Sequence, residues 1–279
     1  MKKSKTLVSL GLAGCMLLAG AASVCAAPAS NAVDVDAGKV TVCVERATVD
    51  GSYIVEPYQL DYVAGKNIQY YVEQIKDASG NSVAHITTSA WGPYMDYVNT
   101  PSDVTLNVDD YVFTSEVVAS DAAHGYTGGA SSWTTSAVAT PGQLAAYDYN
   151  VNSGWNFVKN NASPYNGLTE SVADGDCITL AFTVYGGMDI GFPGWPMNAD
   201  GTWNTNSDNP FSATLTNGVK TDKTDLVETL GYVNTNMASN RTETQKAAVT
   251  AANSAILNVQ ANASQVSAAL TGLQSAFGL

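Results

Sequence analysis

The feature that most constrains this chain is a change of hydrophobic period near Lys220. Before it, apolar residues recur at every second position, as in Val40, Val42 and Val44. Beyond it they recur every third or fourth, as in Leu226, Leu230 and Val233. A period of two places side chains on one face of a strand, and a period near 3.6 places them on one face of a helix. The second region also lacks proline and tryptophan and has only Tyr232 and Phe277 as aromatics. The expectation is an α+β protein: a β-rich region at 38–216, a linker at 217–221 and a small three-helix bundle at 222–279.

Within the first region, residues 39–45 read as a strand, Asp50-Gly51 as a turn, and Tyr53 to Val63 as a second strand whose Pro57 implies an edge or a bulge. Ile68, Tyr71, Val72 and Ile75 then fall at helical spacing, with Asn67 suited to cap the start and Gly80 just beyond the end. Residues 81–150 form a long insert of short β-prone runs, Asp103 to Val108 and Tyr111 to Val118 among them, with a Gly/Ser-rich loop at 126–132. Strand patterning returns over 151–192, with Asp174-Gly175-Asp176 turning the chain into a last strand. In the tail, Thr242 to Gln245 has capping-box spacing, and Asn262 to Gln265 stands before the third helix, whose face is Val266, Leu270, Leu273 and Phe277.

The N-terminus reads as an export signal. Lys2, Lys3 and Lys5 precede an uncharged run from Thr6 to Val24, too short and too poorly flanked for a membrane span, and small residues offer cleavage after Ala26. The expected signal peptide is therefore 1–26, with Ala29 as a second cleavage point. Leu12-Ala13-Gly14-Cys15 has the form of a lipobox, so the alternative is a lipoprotein anchored at Cys15. Cleavage at Ala26 removes three of the 12 basic residues and none of the 25 acidic ones, leaving a net charge of −16. Such a surface repels phosphate backbones, so nucleic acid is not an expected partner.

Cleavage also leaves two of the four cysteines, Cys43 and Cys177. Each alternates with an apolar face rather than belonging to it: Cys43 goes with Thr41 and Glu45, and Cys177 lies off the face of Ile178 and Leu180. Two off-core cysteines in an oxidising compartment suggest a cross-strand disulfide, provided that the strands are neighbours.

Val40-Thr41-Val42-Cys43-Val44-Glu45, Tyr53-Ile54-Val55-Glu56-Pro57, the helix after Gly65, Ser153-Gly154-Trp155-Asn156-Phe157-Val158-Lys159-Asn160, Val172-Ala173-Asp174-Gly175-Asp176 and Tyr185-Gly186-Gly187-Met188-Asp189-Ile190-Gly191 together resemble the transcobalamin-C-terminal-like family, a domain of unknown function in exported Gram-positive proteins. The likeness covers 38–78 and 141–192. It implies a ubiquitin-like, β-grasp-like fold with the first and last strands side by side, which would bring Cys43 and Cys177 together. In the related vitamin B12 carriers this domain closes over one side of the corrin together with a helical barrel, so the likeness implies a corrinoid-type ligand. Asn262 to Leu273 resembles the FIVAR-type three-helix modules of surface proteins, which act as spacers or adhesive units.

Catalytic machinery is sparse. His85 and His124 are the only imidazoles, and neither has metal-ligand spacing. Asn198, Asp200, Thr202, Asn204, Asn206 and Asp208 place oxygens at alternate positions, but Gly201 stands fourth where a calcium loop needs its sixth. No metal and no cofactor are expected. The aromatic residues are the better guide to binding: all five tryptophans lie between Trp91 and Trp203, accompanied by Tyr94, Tyr97, Tyr126, Tyr165 and Tyr185. The candidate ligand-binding residues are Trp155 and Gly154 in the Ser-Gly-Trp turn, and Trp91 and Trp133 in the insert. The expectation is an exported, non-catalytic binding protein, secreted or at the cell surface, for a small molecule of corrinoid type. The alternative is a surface adhesion or glycan-binding protein with a helical spacer.

Overall fold

The computed structural model describes residues 35–77, 79–90, 92–106, 111, 136–191 and 221–279. The expected signal peptide with Cys15, the 126–132 loop, His124 and the oxygen-rich run at 198–208 lie outside them. Strand β1 (Lys39–Arg46) passes through a helical turn, α1 (Ala47–Asp50), and returns as β2 (Ser52–Asp61). The reversal needs a left-handed residue, and Gly51 supplies it at φ 66°. Pro57 sits on an edge strand at a bulge, where Glu56 and Pro57 lie between the Val42–Tyr58 and Val44–Val55 pairs.

Helix α2 (Ile68–Gln74) starts where Asn67 accepts a hydrogen bond from the Tyr70 amide at 3.1 Å. It ends sooner than Gly80, because Asp77 organises a competing turn. Its carboxylate accepts from the Ser79 and Asn81 amides, and Ile75 becomes extended and accepts from the Val83 amide. Ile75 stays fully buried even so.

The insert builds a second sheet from β3 (Ala84–Ser89), β4 (Gly92–Asn99) and β5 (Gln143–Ala145), in the order β3-β4-β5. The expected run at 103–108 contributes no strand over its described residues, 103–106. Strands β6 (Gly154–Lys159) and β7 (Cys177–Thr183) complete the first sheet, in the order β2-β1-β7-β6 with β1 and β7 parallel. Val40, Val42 and Val44 share one core with Ile178, Leu180, the α2 face, and Val83, Met95 and Val98 of the insert. The chain is thus α+β, with the first and last strands of the first sheet side by side.

The tail forms α3 (Thr224–Asn236), α4 (Glu243–Leu257) and α5 (Ala263–Phe277). Reciprocal capping boxes start the last two, Thr242 with Gln245 and Asn262 with Gln265. Arg241 closes α3 by donating to the Met237 and Val233 carbonyls, and its guanidinium lies over the Phe277 ring.

These helices do not form a body apart from the sheet, for residues 35–278 make one compact unit. Helix α3 lies against the first sheet: Thr235 accepts from the Gln59 amide, Asn234 donates to the Pro57 carbonyl, and a Cβ on Gly231 would stand 2.7 Å from Thr41 Cγ2. The helices beyond the linker expected at 217–221, of which 217–220 lie outside the described residues, therefore pack on the first sheet.

That docking also revises the reading of the alternate face of β1 and β7. Thr41, Cys43, Glu45 and Cys177 are buried beneath the helices. The two cysteines are free. Register explains why: Cys177 pairs with Thr41 and Cys43 with Thr179, so the thiols are offset by two residues on adjacent strands. A strand spacing of about 4.8 Å and a rise of about 3.3 Å per residue separate such Cα atoms by roughly 8 Å. A disulfide needs less than about 7 Å. The Cys43 thiol instead donates to the Thr179 hydroxyl at 3.3 Å.

Candidate functional site

Trp155 packs within the fold. Its indole N–H donates to the Leu144 carbonyl at 2.9 Å, and its ring meets Phe182 edge-on at 5.2 Å. Tyr149 meets the other side of that cluster, 6.2 Å from Phe182. Gly154 faces Ala146, and a Cβ at that position would stand 3.7 Å from Ala146 Cβ, an ordinary contact, so no close approach requires glycine there. Trp91 and Trp133 lie outside the described residues. The four candidates are therefore not gathered into one aromatic site among the described residues.

A different aromatic surface is present on the outer face of β3 and β4. Met95 and Val98 turn inward with Ala84 and Ile86. The register slips between His85 and Ile86, which leaves Asp96 as an extra residue between the Ile86–Met95 and His85–Tyr97 pairs. Such a bulge puts two consecutive side chains on one face. Asp96 and Tyr97 consequently both meet His85: the imidazole stacks on the Tyr97 ring at 4.4 Å and 7°, and its Nδ1 lies 3.3 Å from Asp96 Oδ2. Tyr94, paired with Thr87, is 49% exposed on the same face. Just past β5, whose Ala145 pairs with Tyr97, Tyr147 is 69% exposed at φ 69°. A side chain other than glycine, asparagine or aspartate seldom holds that conformation. Here Asp148 holds the turn, accepting from the Ala139 and Ala145 amides at 2.9 and 2.7 Å.

This face offers ring surfaces beside one carboxylate and one imidazole. Such a set can stack on an apolar ligand face and hydrogen-bond its hydroxyls. Asp96 is the only acid in β3, β4 and β5. His85 gave little sign of this in the sequence, and Tyr94 and Tyr97 stood only as companions of the tryptophans. The bulge that unites the three leaves no periodic signature.

A second concave feature lies between the covered face of the first sheet and the helices. It encloses about 90 Å³ and is lined by Glu45, Asn160, Cys177, Thr179, Lys223 and Ile256, among others. That is well below the roughly 300–1,000 Å³ of pockets that enclose drug-sized ligands. Burial pushes the Cys43 thiol up to about 12 and raises Cys177 well above the ordinary thiol value. Both stay protonated at neutral pH and are poor nucleophiles. Burial pushes the Lys223 ammonium the other way, down to about 8, against an opposing pull from Glu45.

A buried acid fixes the loop after β7. Asp189 is fully buried and accepts from the Tyr111 hydroxyl and the Val184 amide, both at 2.8 Å, and from the Thr183 hydroxyl. Burial raises its pKa against those hydrogen bonds. No group of acids, histidines and cysteines able to hold a metal ion occurs among the described residues. None of their helices is long and apolar enough to cross a membrane.

No protein-family model matches the chain, and no curated protein matches it.

Proposed function

We propose that this is a non-catalytic ligand-binding protein acting outside the cytoplasm, and that it holds a glycan on the outer face of β3 and β4. The observation that carries this reading is the grouping of exposed Tyr94 with the stacked His85–Tyr97 pair and Asp96. A sugar ring presents a C–H face to aromatic rings and hydroxyls to a carboxylate and an imidazole. The cavity beneath the helices is too small for a corrin, so a corrinoid would have to be met on an open surface; that reading rests on the sequence resemblance. Export rests on the basic and apolar N-terminal pattern.

The test is a glycan panel followed by equilibrium titration of the mature protein, with cobalamin and cobinamide titrated in parallel. Glycan binding that weakens about tenfold in Tyr94→Ala supports the outer face, since that loss is about 1.4 kcal/mol. A corrinoid spectral change with no glycan binding would replace this reading with the corrinoid one. Binding to neither would remove both.

A further inference from the structure

The outer face of β3 and β4 carries a carboxylate whose charge the chain leaves unbalanced. Several acids of this protein have a cationic partner: Asp61 pairs with Lys39, Asp50 with Arg46 and Glu243 with Lys246. Among the described residues no lysine or arginine pairs with Asp96, and none occurs in β3, β4 or β5. Its partner is the His85 imidazole, 3.3 Å away. A carboxylate has about four acceptor positions, so one imidazole leaves it capacity for a ligand. The Asp96 side chain is 42% exposed, which puts that capacity within reach of solvent. Tyr94 and Asp96 flank the buried Met95, so alternation turns both outward, with Cα atoms about 6.6 Å apart at about 3.3 Å per residue. The bulge adds Tyr97 to the same face. The carboxylate therefore stands among tyrosine rings, and an ammonium group is attracted both to a carboxylate and to the face of such a ring. The chain's 25 acids against 12 basic residues give the wider field the same sign.

We propose that this face selects an amino sugar whose ring amine is free and positively charged over the N-acetylated form of the same sugar. The proposal rests on the glycan reading of the face and adds the ligand's charge to it. The sugar ring lies on Tyr94, and its ammonium group meets Asp96. N-acetylation removes the positive charge, and with it both the ion pair and the attraction to the ring faces; a neutral amide keeps one N–H for Asp96. An exposed ion pair and a cation on an exposed ring each add little, so the preference is about fivefold.

The test titrates the mature protein, at pH 7 and low ionic strength, with the fully deacetylated chitin tetramer and with the fully acetylated one. The expected result is about fivefold tighter binding of the deacetylated tetramer. That preference should shrink as salt is added, because the charges are exposed, and should disappear in Asp96→Asn. A wild-type preference below threefold, a preference that salt leaves unchanged, or one that persists in Asp96→Asn overturns the proposal. The salt series needs no variant, so it decides the matter even where Asp96→Asn unfolds. Equal binding of the two tetramers, weakened in Tyr94→Ala, would leave the glycan face standing and remove the amine selectivity alone. Binding of neither tetramer and of no glycan on the panel would remove both.

Discussion

The two sheets treat their polar and aromatic faces in opposite ways. In the first sheet, the face carrying Thr41, Cys43, Glu45 and Cys177 looks solvent-facing by alternation, yet it is sealed beneath α3. In the second, the face carrying Tyr94 and Tyr97 has the residues usually assigned to a core, yet Tyr94 is half exposed. A buried polar face must satisfy its own hydrogen bonds, as Cys43 does with Thr179, and so serves as scaffold. An exposed aromatic face leaves apolar area uncovered, which marks a surface for contact.

The contrast predicts how substitutions divide. Leu180→Ala, in the core between the two sheets, should cost the most, about 2–5 kcal/mol in denaturant unfolding. A cost below about 1 kcal/mol would mean that the first sheet is not the scaffold. Gly231→Val would place side-chain atoms into Thr41 and should cost about 1–3 kcal/mol. It should also speed reaction of Cys43 and Cys177 with a thiol reagent, while the native wild type reacts slowly and yields two thiols once denatured. No free thiol in the denatured protein would show a bridge between them. Thr242→Ala removes a cap on an exposed helix start and should cost about 1 kcal/mol. Tyr94→Ala should change stability by less than about 0.5 kcal/mol, because the side chain is half exposed and lies outside the core.

Stability should also follow pH through Lys223. Its folded value, about 8, lies below the ordinary lysine value, so the unfolded chain binds more protons between the two. Its contribution is fully present above the unfolded value and is lost as pH falls through about 8. Raising the pH from 8 to 10 should therefore raise the unfolding midpoint of the wild type relative to Lys223→Met. No difference between the two would place the amine in solvent.

Local features were legible in the sequence. The β1–β2 reversal, the edge position of Pro57, the Asn67 cap, both tail capping positions and the buried residues Leu226, Leu230 and Val233 follow from neighbours within a few positions. What covers each face was not legible. Alternation groups Thr41 with Cys43 but cannot show that Gly231, far along the chain, will close over them. The paired strands β3 and β4 were obscured for a related reason: their bulge breaks the period of two at Asp96, the point where the candidate site forms. Trp155 stood out through its turn motif, which could not show that its ring would pack on Phe182 or that its indole would donate to the Leu144 carbonyl.

The most direct test of the outer face is calorimetric titration of wild type and Tyr94→Ala with the best ligand from the glycan panel, alongside their unfolding curves. Binding should be about tenfold weaker in the variant at unchanged stability. Equal affinity in the two proteins would contradict it.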